Sequence, residues 1–144
     1  MKAADYFTDD RLAEIGAAIK QAEKWTSGEI RLYVEDKCKE DVLDHAAFLF
    51  AELNMHKTEL RNGVLFYLAL QDHKFAILGD GGINAKVEDD FWDHIKEEMV
   101  NHFKEGQFAV GLEKGVAMAG KALAEHFPYQ KDDVNELSDD IIVK

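Results

Sequence analysis

One stretch constrains the fold more than any other. It reads Arg61-Asn62-Gly63-Val64-Leu65-Phe66-Tyr67-Leu68-Ala69-Leu70, then Gln71-Asp72-His73-Lys74, then Phe75-Ala76-Ile77-Leu78-Gly79-Asp80-Gly81-Gly82-Ile83. The first run is almost continuously apolar and rich in β-formers, which predicts a strand buried on both faces. The four polar residues that follow suit a hairpin connection. The second run predicts a shorter strand that stops at a glycine-rich acidic corner. Asp80 therefore sits at a strand end, on backbone that can bend sharply and that other groups can approach closely.

The remaining elements surround this hairpin. Thr8 or Asp9 caps a first helix with the apolar stripe Leu12, Ile15, Ile19, Ala22 and Trp25. Thr26-Ser27-Gly28 turns the chain into Glu29-Ile30-Arg31-Leu32-Tyr33-Val34-Glu35, whose alternation predicts a strand with one face more buried than the other. After a charged loop, Asp41 caps a helix with the stripe Val42, Ala46, Leu49 and Leu53, widened by Phe48 and Phe50. Strand, helix and strand in this order make a parallel βαβ unit, and the hairpin adds an antiparallel strand. The sheet is therefore expected to be mixed, with helices on both faces.

A long helix is expected over residues 87–104, with Phe91 or Trp92, Ile95, Met99 and Phe103 on its apolar side and Gly106 as its stop. A last helix over residues 109–126 carries Val110, Leu112, Val116, Ala119, Leu123 and Phe127, and Gly111, Gly115, Ala119 and Gly120 let it pack closely. Residues 1–129 are expected to form one domain. Residues 130–144 form an acidic tail, either loosely ordered or docked through Ile141-Ile142-Val143.

The formal net charge of -12 argues against nucleic acid and against an anionic membrane surface. Divalent cations are the partners it favours; otherwise it serves solubility alone. One cysteine, Cys38, excludes an intrachain disulfide and is expected as a surface thiol between Lys37 and Lys39. The N-terminus has no apolar signal core and no run is long enough to span a bilayer, so the chain is expected to be cytoplasmic. The six histidines show no zinc pattern and read as ordinary surface or core-edge residues.

Topology brings distant acids together. The expected pairings place Ser27-Gly28-Glu29, Arg61-Asn62-Gly63 and Gly79-Asp80-Gly81-Gly82 at one sheet edge, with Glu88, Asp89, Asp90 and Asp93 beside them. Three glycine corners plus several carboxylates suit a hard cation that takes oxygen ligands, calcium or magnesium. The opposite edge gathers Glu35, Asp36 and Asp72. The ligand rule for parallel sheets favours it, but it lacks glycine corners and ranks second.

At these corners the chain resembles a known family. Ser27-Gly28-Glu29-Ile30, the run from Lys57-Thr58-Glu59-Leu60 through Arg61-Asn62-Gly63-Val64-Leu65-Phe66-Tyr67-Leu68-Ala69, and Phe75-Ala76-Ile77-Leu78-Gly79-Asp80-Gly81-Gly82-Ile83 look like the TPM domain. Phe103-Lys104-Glu105-Gly106-Gln107-Phe108-Ala109-Val110-Gly111-Leu112 looks like its late helix-to-helix turn. The resemblance implies a three-layer α/β/α sandwich around a small mixed β-sheet, with calcium or another divalent ion in a crevice of acidic loops. Plant members lie in the thylakoid lumen, are linked to photosystem II repair, and have been described as acid phosphatases. Many bacterial members carry a signal peptide and a membrane anchor.

Three readings follow. The first is a divalent-metal-binding domain with an accessory or partner-binding role, with Glu29 and Asp80 as core calcium ligands and Asp89, Asp90 or Asp93 closing the site. Its crowded acids are expected to repel one another without metal, so that Asp80→Asn leaves the metal-free fold intact or steadier. The second is a metal-dependent acid phosphatase in which Arg61, perhaps with Lys57, holds phosphate oxygens; otherwise Arg61 is a salt bridge to an acid at the same edge. The third is a protein-interaction module that uses the tail or last helix.

Overall fold

Every residue of β2 (Gly63–Ala69) is buried, and its side chains divide between two cores. Val64, Phe66 and Leu68 face one side; Leu65, Tyr67 and Ala69 face the other. The structure, a computed structural model, describes residues 1–129 and 141–144. β1 (Glu29–Glu35) runs parallel to β2, with Glu29 opposite Gly63 and Glu35 opposite Ala69. β3 (Lys74–Gly79) runs antiparallel on the other edge, with Val64 opposite Gly79 and Ala69 opposite Lys74. The sheet is mixed, as expected, but it has four strands. β4 (Ile141–Val143) pairs parallel with the outer edge of β1, in the order β3-β2-β1-β4. Of the two states expected for the tail, its last residues adopt the docked one. Residues 130–140 lie outside the described residues.

The larger core lies between the sheet and the helices α1 (Ala3–Tyr6), α2 (Asp9–Glu23), α5 (Phe91–Phe103) and α6 (Phe108–His126). Thr8 caps α2 by accepting the Arg11 amide, and Ile15, Ile19 and Ala22 are the buried part of its stripe. Gly120 of α6 lies against Ala22, and Gly111 and Gly115 lie against Phe103 and Met99, so small residues set the close helix packing. The second face is covered by α3 (Val42–Glu52) and by a 3-10 turn at Met55–Lys57. Asp41 caps α3 by accepting the Leu43 and Asp44 amides. The result is the expected α/β/α sandwich.

Three expectations need correction. The helix expected over residues 87–104 starts at Phe91, and a separate short helix α4 (Gly81–Asn84) precedes it. Asp80 starts α4: its carboxylate accepts the Gly81 amide and caps the short helix at the glycine corner itself. Phe48, expected to widen the α3 stripe, is 56% exposed. Cys38, expected on the surface, is buried, because the loop that carries it is pulled inward through its backbone. Asp72 accepts the Cys38 amide at 2.8 Å, and Lys74 Nζ donates to the Cys38 carbonyl at 3.1 Å.

Gly82 holds the β3–α4 corner against the entry to β2. Its amide donates to the Arg61 carbonyl at 2.9 Å. A Cβ on Gly82 would lie 2.1 Å from the Leu60 oxygen and 2.6 Å from the Arg61 oxygen, both on backbone. Gly81, its neighbour, has nothing within 4 Å of the same position. Gly82→Ala is expected to lower stability by about 2 kcal/mol or more, because the corner has to move to admit a methyl group. Gly81→Ala is expected to stay within about 0.5 kcal/mol of the parent. Urea midpoints of the two variants check this; equal midpoints would remove the close approach as a constraint.

Candidate functional site

The register decides which loops meet. Parallel pairing of β1 with β2 puts their N-terminal ends together, and the antiparallel β3 ends at the same edge. There the Glu29 amide donates to the Asn62 carbonyl at 3.3 Å and the Asp80 amide to the Gly63 carbonyl at 3.0 Å. Asn62 Nδ2 reaches Ser27 Oγ at 3.4 Å, and its amide is held by Thr58 Oγ1 at 3.2 Å. The three glycine-containing corners expected to converge do so, and Glu29, Asn62 and Asp80 are all buried at the junction.

Asp80 is the centre of this edge, and its partner is Arg61. Arg61 Nε donates to Oδ2 and Nη2 to Oδ1, each at 2.8 Å, a two-pronged fork. Oδ1 also accepts the Gly81 amide at 2.7 Å. Arg61 adopts a left-handed backbone, with φ of 53°, which turns its carbonyl toward Gly82 while its side chain reaches Asp80. Burial alone would raise the Asp80 pKa, but hydrogen bonds from Arg61 and Gly81, aided by the Arg61 and His56 charges, hold it below the ordinary 3.8. Of the two roles open to Arg61 in the sequence, the salt bridge is the one formed.

Of the other expected ligands, Glu29 is buried at the same junction, whereas the three acids expected to close the site are not. Asp89, Asp90 and Asp93 are exposed. Asp90 meets His94 Nε2 at 3.3 Å and opens onto a groove of ≈ 520 Å³ floored by Val87, Phe91, Ile95 and Met118. Asp93 lines a different depression, with Lys96 and Lys104. Among the described residues, no group of three or more His, Cys, Asp or Glu side chains is arranged to hold a metal ion. A calcium cage needs six to eight converging oxygens. With both Asp80 oxygens on Arg61, the five expected ligands do not fit such a cage as they stand.

The corner beyond Asp80 is tied down by neutral groups. Asn84 Nδ2 donates to the Gly79 carbonyl at 2.9 Å, and Trp92 Nε1 donates to Asn84 Oδ1 at 3.2 Å. These two bonds fasten α4 and the start of α5 to the end of β3.

The opposite edge, ranked second from the sequence, uses its acids as internal fasteners. Asp36 accepts the Ala3 amide at 2.6 Å and Asp72 accepts the Cys38 amide. Glu35 accepts the Tyr67 hydroxyl at 2.6 Å and faces His45 Nε2 at 2.8 Å. His45, Glu40 and Tyr67 were not singled out by sequence reasoning. Their signal was faint: a histidine in the first turn of α3, five residues after a loop glutamate, above a strand that ends in Glu35.

Comparison with known proteins agrees with this architecture. A family model described as TPM domain matches residues 1–122. No curated protein matches. The chain is similar to the BA42 protein of the psychrophilic bacterium Bizionia argentinensis, solved by NMR, with 45% identity over 99% of both chains and a TM-score of 0.92. It shares its fold with the N-terminal domain of a P. gingivalis protein, with 18% identity, coverage of 83% and 78%, and a TM-score of 0.69. It also shares the fold with the N-terminal domain of the cg2496 protein of Corynebacterium glutamicum, with 11% identity, coverage of 97% and 82%, and a TM-score of 0.68. With residues 1–122 matched by the family model and the α/β/α sandwich that the resemblance implied in place, this chain belongs to the TPM domain family.

Proposed function

We propose that this chain is a binding module with an accessory, partner-binding role, and that a divalent cation, calcium before magnesium, acts on it only by competing with Arg61 for Asp80. One observation carries the reading: the guanidinium of Arg61 already occupies both oxygens of Asp80. That fork stands where the cation of the first sequence reading would sit. It also engages the side chain that the phosphatase reading needs for phosphate. An arginine committed to a buried carboxylate has two fewer donors for a substrate oxygen. The hard oxygens that suit calcium are nonetheless close by. They are the Asp80 carboxylate and the Leu60 and Arg61 carbonyls that crowd Gly82. Calcium accepts irregular sets of carboxylate and carbonyl oxygens more readily than magnesium does.

The test pairs turnover with binding. Hydrolysis of para-nitrophenyl phosphate with and without calcium or magnesium is expected to stay at the no-enzyme rate. Saturable, metal-dependent turnover abolished by Asp80→Asn would replace this reading with the phosphatase. In thermal melts, millimolar calcium is expected to raise the melting temperature of Arg61→Gln more than that of the parent, because the variant frees Asp80. An equal response in both proteins would show that Arg61 and the cation do not share a site.

The fork also reverses the stability expectation for Asp80. Asp80→Asn removes the charge that holds Arg61 and leaves the α4 cap oxygen in place, so the lost fork is expected to cost about 2 kcal/mol of stability. The sign of the pH dependence follows from the lowered pKa. The stabilisation is complete above the unfolded value near 3.8 and is lost as pH falls through the lower folded value. The acid limb of a stability–pH curve is therefore expected to flatten in Asp80→Asn relative to the parent. A variant as stable as the parent at neutral pH, with the same acid limb, would rule out the fork as a stabilising contact.

A further inference from the structure

The loop between β1 and α3 is held by a cluster that the Asp80 edge does not touch. His45, in the first turn of α3, lies between two carboxylates. Its Nε2 faces Glu35 at the end of β1 at 2.8 Å, and its Nδ1 faces Glu40 in the loop. The Tyr67 ring of β2 stands edge-on to the imidazole, with centroids 5.3 Å apart, and Phe48 stacks on it from α3. Tyr67 donates its hydroxyl to the same Glu35 oxygen that faces His45. In the loop, the Cys38 thiol donates to the Glu40 carbonyl at 3.3 Å, and the Cys38 backbone is held by Asp72 and Lys74 of the hairpin. Glu35, Glu40 and Tyr67 are the titratable side chains seen in contact with His45; Tyr33 packs behind Tyr67, Cys38 lies beside Glu40, and Asp72 and Lys74 hold the Cys38 backbone.

A neutral imidazole has one N–H. It can donate to one carboxylate, and its bare nitrogen then meets the other carboxylate lone pair to lone pair. Only the imidazolium donates to both. We propose that His45, gripped between Glu35 and Glu40, is a pH-operated latch on the β1–α3 loop: protonated, it fastens the loop and keeps Cys38 buried, and on losing its proton it lets go of Glu40 and opens the way to the thiol. Glu40 is the arm that releases, because its side chain is 57% exposed, whereas Glu35 keeps the Tyr67 hydroxyl as a second donor.

The direction of the titration agrees with this geometry. Burial opposes charge on His45, but hydrogen bonds to Glu40 and Glu35 outweigh it and raise the pKa above 6.5. The latch therefore contributes its full stabilisation below the unfolded value near 6.5. That contribution is lost as pH rises through the higher folded value.

Cys38 reports on the latch directly. The full chain is reacted with an uncharged disulfide reagent across neutral and alkaline pH. Each rate is divided by the thiolate fraction, read from ultraviolet absorbance, while the His45 ring is titrated by NMR. The normalised rate is expected to rise about tenfold as His45 loses its proton, the size of one lost charge-assisted hydrogen bond. His45→Gln is expected to react at the fast rate at every pH. Glu40→Ala, a change at an exposed side chain that leaves the core intact and removes every hydrogen bond to His45 Nδ1, is expected to react fast already in the range where the parent is slow. A parent rate that stays flat through the His45 titration overturns the proposal. So does a pH-dependent rise that persists in His45→Gln, or a Glu40→Ala protein as slow as the parent.

Discussion

The pairing of β2 on both of its edges is the constraint on which the rest of the structure depends. A strand with seven buried residues and apolar side chains on both faces has nowhere to put its backbone polar groups except into two neighbouring strands. The neighbours it has differ in direction, parallel on one side and antiparallel on the other. That difference sends Glu29, Asn62 and Asp80 to one end of the sheet and Glu35 and Asp72 to the other. A one-residue slip of β1 against β2 would turn Ile30, Leu32 and Val34 out of the larger core, so the register is held by burial as well as by hydrogen bonds. The Asp80 and His45 clusters are both consequences of that single arrangement.

The Asp80 edge shows how a buried carboxylate is answered from within the chain. Asp80 is buried at a helix start, and a buried carboxylate without a partner is costly. The nearest cation along the chain topology is Arg61, at the entry to the strand beside it. A guanidinium matches a carboxylate with two parallel donors and brings its own covalent tether. An external ion has to displace a partner that is always present. The neighbouring acids at positions 89, 90 and 93 remain in water, where they face no comparable cost.

Much of the frame was legible from residue pattern. The runs at 29–35, 63–70 and 74–79 were long and periodic enough to be read as strands, and the caps Thr8 and Asp41 were in place. The edge that gathers Glu29, Asn62 and Asp80 followed from strand directions alone. Other features were hidden for definable reasons. β4 is three residues long and separated from the sheet by an acidic stretch, so its docking rests on a pairing that local pattern does not carry. The Gly81-Gly82 pair reads as a turn, yet Asp80 caps it into a helix, because a capping carboxylate can outweigh glycine's weak helix propensity over one turn. Cys38 is flanked by lysines and reads as exposed, but the contacts that bury it come from Asp72 and Lys74, more than thirty residues away. The Arg61–Asp80 fork was one of two roles open to Arg61. Sequence left them open because both require the same convergence of β2 and β3 ends.

The two edges differ in the kind of cation that answers their carboxylates, and that difference sets when each can let go. Arginine keeps its charge throughout the range in which proteins fold, so the clamp on Asp80 yields only when the carboxylate itself is protonated in acid. Histidine loses its charge near neutrality, so the grip on Glu35 and Glu40 yields in the opposite direction, toward alkali. The edges lie at opposite ends of the same strands and share no side chain. Mild alkali therefore loosens the loop with the corner intact, and the corner yields only in acid strong enough to protonate Asp80. A sheet whose central strand is buried on both faces supplies the rigid frame that keeps these two releases separate.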